Sequence, residues 1–100
     1  MPFDRVFPRS FSAQTVNAEA PAMSGVYGIS NAAQWIFIGE TDNIQAALMT
    51  HLREPANTLQ DRQPTGFVYE VCDRAQRPAR LDCLVREYEP VCNRQGAQHR

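Results

Sequence analysis

Residues 37 to 51, FIGETDNIQAALMTH, have the layout with which proteins often present reactive groups: an apolar strand running through Gly39 into a capped helix. The helix offers little chemistry beyond its opening turn. Gln45, Ala46 and Ala47 lead only to His51, an imidazole able to exchange protons near neutral pH. The other reactive side chains are the thiols of Cys72, Cys83 and Cys92. They are odd in number and lack a CxxC spacing, so they are expected to be reduced and packed as small apolar groups. No spacing favours a zinc site built from them with His51 or His99. Arg74, Arg77 and Arg80 could supply positive charge to a ligand, or simply line an exposed polar loop and first turn.

These groups must be positioned by the elements around them. GVYGIS (25–30) and QWIFIG (34–39) read as strands joined by the turn-prone Asn31-Ala-Ala, close enough to form a hairpin. Trp35, Ile36, Phe37 and Ile38 are apolar on both faces, which predicts a central strand covered on both sides. Thr41 or Asp42 is expected to cap the next helix, whose core stripe is Ile44, Leu48 and Leu52. Asn43 is expected to fix the turn after Gly39 through its side-chain amide. A polar loop (53–65) with two prolines leads to a third strand, FVYEVC (67–72). Pro78 fits the first turn of a last helix, with Leu81, Leu84, Val85 and Tyr88 spaced as its apolar face and Pro90 as its stop. Upstream, Ser12 could cap a short helix ended by Pro21. The order predicts an α/β (α+β) fold: a small three-stranded, largely antiparallel sheet flanked by helices.

Composition bounds the function. One hundred residues make one domain able to bury roughly 60–70% of the unfolded surface. With ten basic residues (all Arg) against eleven acidic, the chain lacks the excess positive charge of a dedicated nucleic-acid binder. The absence of Lys reads as the coding bias of a GC-rich, bacterial genome. No apolar run approaches a membrane span, and MPFDRVFPRSFS does not read as a secretory signal, so the expected location is the cytoplasm.

The motifs resemble those of GIY-YIG endonucleases. Gly25-Val26-Tyr27 and, about ten residues on, Phe37-Ile38-Gly39 look like the paired GIY and YIG signatures. Gly39-Glu40-Thr41-Asp42-Asn43-Ile44 is similar to that family's G-x-T-x-N-L turn, and His51 falls where many members have histidine. Leu84-Val85, Tyr88, Pro90 and Asn93 match the family ending L-I-x-x-Y-x-P-x-x-N. The resemblance covers residues 24 to 93, leaving an N-terminal extension (1–23) and a flexible polar tail (94–100).

The resemblance implies metal-dependent phosphodiester hydrolysis: tyrosines assisting deprotonation of a water, an arginine on the first helix, and a glutamate on the last helix holding Mg²⁺ or Mn²⁺. Against that pattern Tyr27 is kept and Phe37 has lost its hydroxyl. Ala47 stands at the arginine position and Leu81 at the glutamate position. Losing one fixed positive contribution costs about 10²–10³ in rate, and a leucine gives a hard cation no ligand. Asp82 is the nearest substitute carboxylate. One step along a helix turns it about 100° from the Leu81 face, where a pair with Arg86 suits it better.

The expectation is a catalytically degenerate domain, without a cofactor, that binds an unidentified partner. One alternative is an atypical metal-dependent, structure-specific DNA endonuclease using Tyr27, Asp82 and an arginine from 74, 77 or 80. The other is a structural or oligomerising protein whose exposed aromatics Phe3, Phe7 and Phe11 pack on a second copy.

Overall fold

A computed structural model of the chain describes residue 3, residues 8–53 and residues 63–92. Asn93, Phe7, His99, the tail and most of the 53–65 loop lie outside the described residues. The elements are β1 (Arg9–Ser10), α1 (Ala13–Glu19), β2 (Gly25–Ser30), β3 (Trp35–Thr41), α2 (Ile44–Arg53), β4 (Gly66–Val71) and α3 (Arg77–Tyr88).

The strands form one antiparallel sheet in the order β1-β4-β2-β3. It has four strands rather than the expected three. The extra one, β1, spans only two residues between Pro8 and Phe11, too few for any alternation to show in sequence. The central strand is β2, with all six residues buried, whereas β3 lies at the edge. The apolar run of β3 has another cause. Phe37 pairs with Ile29 and Trp35 with Ser30, leaving Ile36 as a bulge. Ile36 therefore joins the cluster on one face, while Trp35 and Ile38 belong to the other.

Alternation along β2 separates the two faces. Tyr27 and Ile29 meet α1 and α2 in a core with Val16, Ile36, Ile44, Leu48 and Phe67. Val26 meets α3 in a second core with Ile38, Val68 and Leu84. Phe3 is 2% exposed in this second core and stacks with Trp35 and Tyr88, so it is not an exposed aromatic. Phe11 packs edge-on against Phe67 in the first. Both rings are consumed by the chain's own folding, which removes them as a surface for a second copy.

Local chemistry sets the helix ends. The Ser12 hydroxyl accepts the Thr15 N–H, capping α1 as expected. At α2 the cap is Asn43 rather than Thr41 or Asp42: its Oδ1 accepts the Ala46 N–H at 2.9 Å. Thr41 Oγ1 instead accepts the Asn43 N–H, bracing the turn from the previous strand. Helix α3 ends at Glu89, in the left-handed region (φ 49°, ψ 55°), where its N–H donates to the Val85 carbonyl before buried Pro90.

Candidate functional site

Tyr27 sits in the middle of β2, opposite Gly39 in β3. A Cβ on Gly39 would fall 2.8 Å from both the Tyr27 hydroxyl and the Phe37 ring, so only glycine lets the phenol lie across the strand. Gly25 is as constrained at the strand's start, where a Cβ would meet the Glu70 carbonyl at 2.2 Å. Val26 and Ile38 of the same motifs are fully buried in the second core and serve packing.

The Tyr27 ring is 4% exposed, and its hydroxyl lies 2.8 Å from His51 Nε2 in a hydrogen bond. Phe37 completes a trio of rings, its centroid 6.0 Å from Tyr27 and 5.2 Å from His51. Ala47, one turn before His51 on α2, packs against the same cluster. Structure thus brings Tyr27, Phe37, Ala47 and His51 together on one face. Leu81 is elsewhere: it packs with Trp35, Val85 and Tyr88 on the core of the opposite face. Asp82 forms the i,i+4 pair with Arg86 that the spacing predicts, at 3.2 Å and well exposed.

The three candidate arginines are each engaged by a carboxylate of the chain. Arg77, 8% exposed, donates to Glu40 (3.2 Å), Asp42 (2.7 Å) and the Ser24 hydroxyl (3.2 Å). Arg74 closes a second pair with Asp42 at 2.9 Å, and Arg80 holds Glu70 in a bidentate pair at 2.7 Å. Hydrogen bonds from Arg74 and then Arg77 hold the Asp42 carboxyl below the ordinary carboxylate range, and the bond to Asp42 raises Arg77 in turn. Sequence reasoning missed Glu40, and nothing local could have found it, because its partner lies 37 positions away.

The thiols occupy different surroundings: Cys92 packs against the core that holds Tyr27, and Cys72 against the opposite one. Burial pushes the Cys72 thiol up, and Cys83 is exposed rather than packed inside. Among the described residues, no three of His, Cys, Asp and Glu are gathered as a metal ion would need. No helix among them is long and apolar enough to cross a membrane.

No protein-family model matches the sequence, and no curated protein matches it either. Solved structures do. A point mutant of the GIY-YIG N-terminal endonuclease domain of UvrC from Thermotoga maritima, bound to its catalytic divalent cation, superposes with a TM-score of 0.64. Identity is 20%, over 77% of this chain and 89% of that one. The chain has a GIY-YIG-like fold. A second point mutant of that domain gives a TM-score of 0.65 at 18% identity, covering 78% of this chain and 90% of that one. The magnesium-bound form gives 0.64 at 18%, covering 77% and 89%. At these identities the GIY-YIG likeness is one of fold.

Proposed function

We propose that this GIY-YIG-like domain is catalytically degenerate and serves as a non-enzymatic binding module. One observation carries the reading: the Tyr27 phenol is hydrogen-bonded to His51 and packed against Phe37, while Ala47, at the position where the resemblance implies an arginine, adds only apolar surface to the same cluster. Phosphoryl transfer depends on fixed positive charge around the transferring group, and here Arg74, Arg77 and Arg80 are held by Asp42, Glu40 and Glu70. Among the described residues the hydrogen-bond partner of Tyr27 is an imidazole, whereas a hard divalent cation takes oxygen ligands such as carboxylates. Asp82 pairs with Arg86 instead. A net charge of −1 favours a partner other than a phosphate backbone. The thiol state of the three cysteines fits a cytoplasmic setting.

The test is incubation with single-stranded, duplex and branched DNA and with RNA, in Mg²⁺ or Mn²⁺. No cleavage above the metal-only control is expected, and calorimetry with Mn²⁺ should show no binding heat. Metal-dependent cleavage that disappears in Tyr27→Phe would establish the atypical nuclease instead.

A further inference from the structure

A glycine inside a central strand needs a reason, because it packs no side chain and often marks the close approach of another group. Gly28 sits in the middle of β2, paired with Ile38 and Val68. A Cβ there would lie 3.1 Å from both the Phe3 ring and the Trp35 ring. Phe3 enters tip-first, with its Cε2 and Cζ against the strand. Gly28 is thus the floor of a slot, and Trp35 and Tyr88 are its walls. The walls lean on each other, centroids 4.6 Å apart, and stack on Phe3 at 5.9 and 5.7 Å.

Slot and occupant come from different parts of the chain. Gly28, Trp35 and Tyr88 lie on β2, β3 and α3, inside the stretch (24–93) that carries the family motifs. Phe3 belongs to the N-terminal extension and to no strand or helix among the described residues. Its N–H donates to the Tyr88 hydroxyl at 3.2 Å, an acceptor that the backbone of any peptide can use. Trp35 and Tyr88 stay half-buried with Phe3 in place, so the slot opens to the surface.

We propose that this slot is a peptide-recognition site for a partner segment carrying a phenylalanine-type ring, and that Phe3 fills it in cis as the chain's own surrogate ligand. The ring is the anchor, as aromatic side chains are at the centres of interfaces, and the Tyr88 hydroxyl takes up the backbone N–H beside it. A tethered segment competes at an effective concentration on the order of millimolar, so Phe3 sets a threshold that a partner must exceed. The slot lies across the sheet from Tyr27. It gives the binding module a ligand class, and the two readings fail separately: DNA cleavage would remove the first, and only the titration below removes the second.

Trp35 is the chain's single tryptophan, so its fluorescence reports on the slot. The probe is the peptide MPFDRVF, with para-nitrophenylalanine, a quencher of tryptophan, as its third residue. Titrated into the full chain carrying Phe3→Ala, it should quench Trp35 saturably, at peptide concentrations at least about tenfold below those the unsubstituted chain requires. The same peptide with alanine third should not compete. Adding Tyr88→Phe keeps the ring wall and removes the acceptor, and should weaken binding about threefold or more. The unsubstituted chain supplies a reading that depends on no variant: saturable quenching at millimolar peptide. Quenching that never saturates in the unsubstituted chain, or equal affinity with and without Phe3, overturns the proposal. So does a sedimenting dimer of the unsubstituted chain that Phe3→Ala dissolves, because the occupant would then be Phe3 of a second copy.

Discussion

Two polar clusters in this molecule use similar materials to opposite ends. At the open end of the sheet, Arg77 ties Ser24, Glu40 and Asp42 together and Arg74 adds a second hold on Asp42. Every charge there meets its opposite within the chain, and three segments distant in sequence are bound by it. On the Tyr27 face a phenol and an imidazole meet 2.8 Å apart beside the Phe37 ring. The first cluster acts as a clasp between charged side chains and the second as a contact between a phenol and an imidazole.

The comparison can be broken, starting with the clasp. Arg77→Met leaves Glu40 without its cation and Asp42 with Arg74 alone, and should lower the thermal midpoint by about 5–10 °C, as measured by calorimetry. A smaller loss would mean that Glu40 and Asp42 simply turn to water. Next comes Gly39→Ala, whose Cβ would strike Tyr27 and Phe37; it should cost about 1–3 kcal/mol in urea unfolding and shift the His51 ring resonances. Within the second cluster, a double-mutant cycle of Tyr27→Phe and His51→Ala should give a coupling of about 0.5–1.5 kcal/mol.

Acid acts on the clasp through Asp42. The folded carboxyl of Asp42 titrates below its unfolded value of 3.8, so its contribution is fully present above that value and disappears as pH falls through the lower folded one. Urea midpoints of the parent and Asp42→Asn should differ at neutral pH and converge only as pH falls well below 3.8. The smallest effect supplies the control. Asp82→Asn breaks an exposed pair of the same chemistry and should cost only about 0.3 kcal/mol, showing that placement rather than charge type gives the clasp its strength.

Legibility in the sequence followed range. The GVYGIS strand, the Ile44-Leu48 stripe and the Leu84 helix are written in residues a few positions apart, and the structure has them within a residue or two of where the pattern puts them. Tyr27, Phe37 and His51 converge because a hairpin and the following helix leave them little choice. What could not be read depends on distant partners. Strand β1 exists only because Phe67 is there to pair with Arg9, and β3 is an edge only because β4 chose the far side of β2. The pattern also put Asp42 at the helix cap, since its chemistry suits both that role and an ion pair. Two arginines more than thirty residues away decide between them.

The strand order has a consequence for how the chain assembles. Because β4 lies between β1 and β2, the first strand has no neighbour until residues 66 and 67 arrive. The β2–β3 hairpin and α2 can form from a nascent chain of little more than fifty residues, but the N-terminal segment must wait. During synthesis β1 is therefore locked only once the start of β4 has emerged, and truncations before Gly66 should yield a hairpin and helix with β1 unpaired.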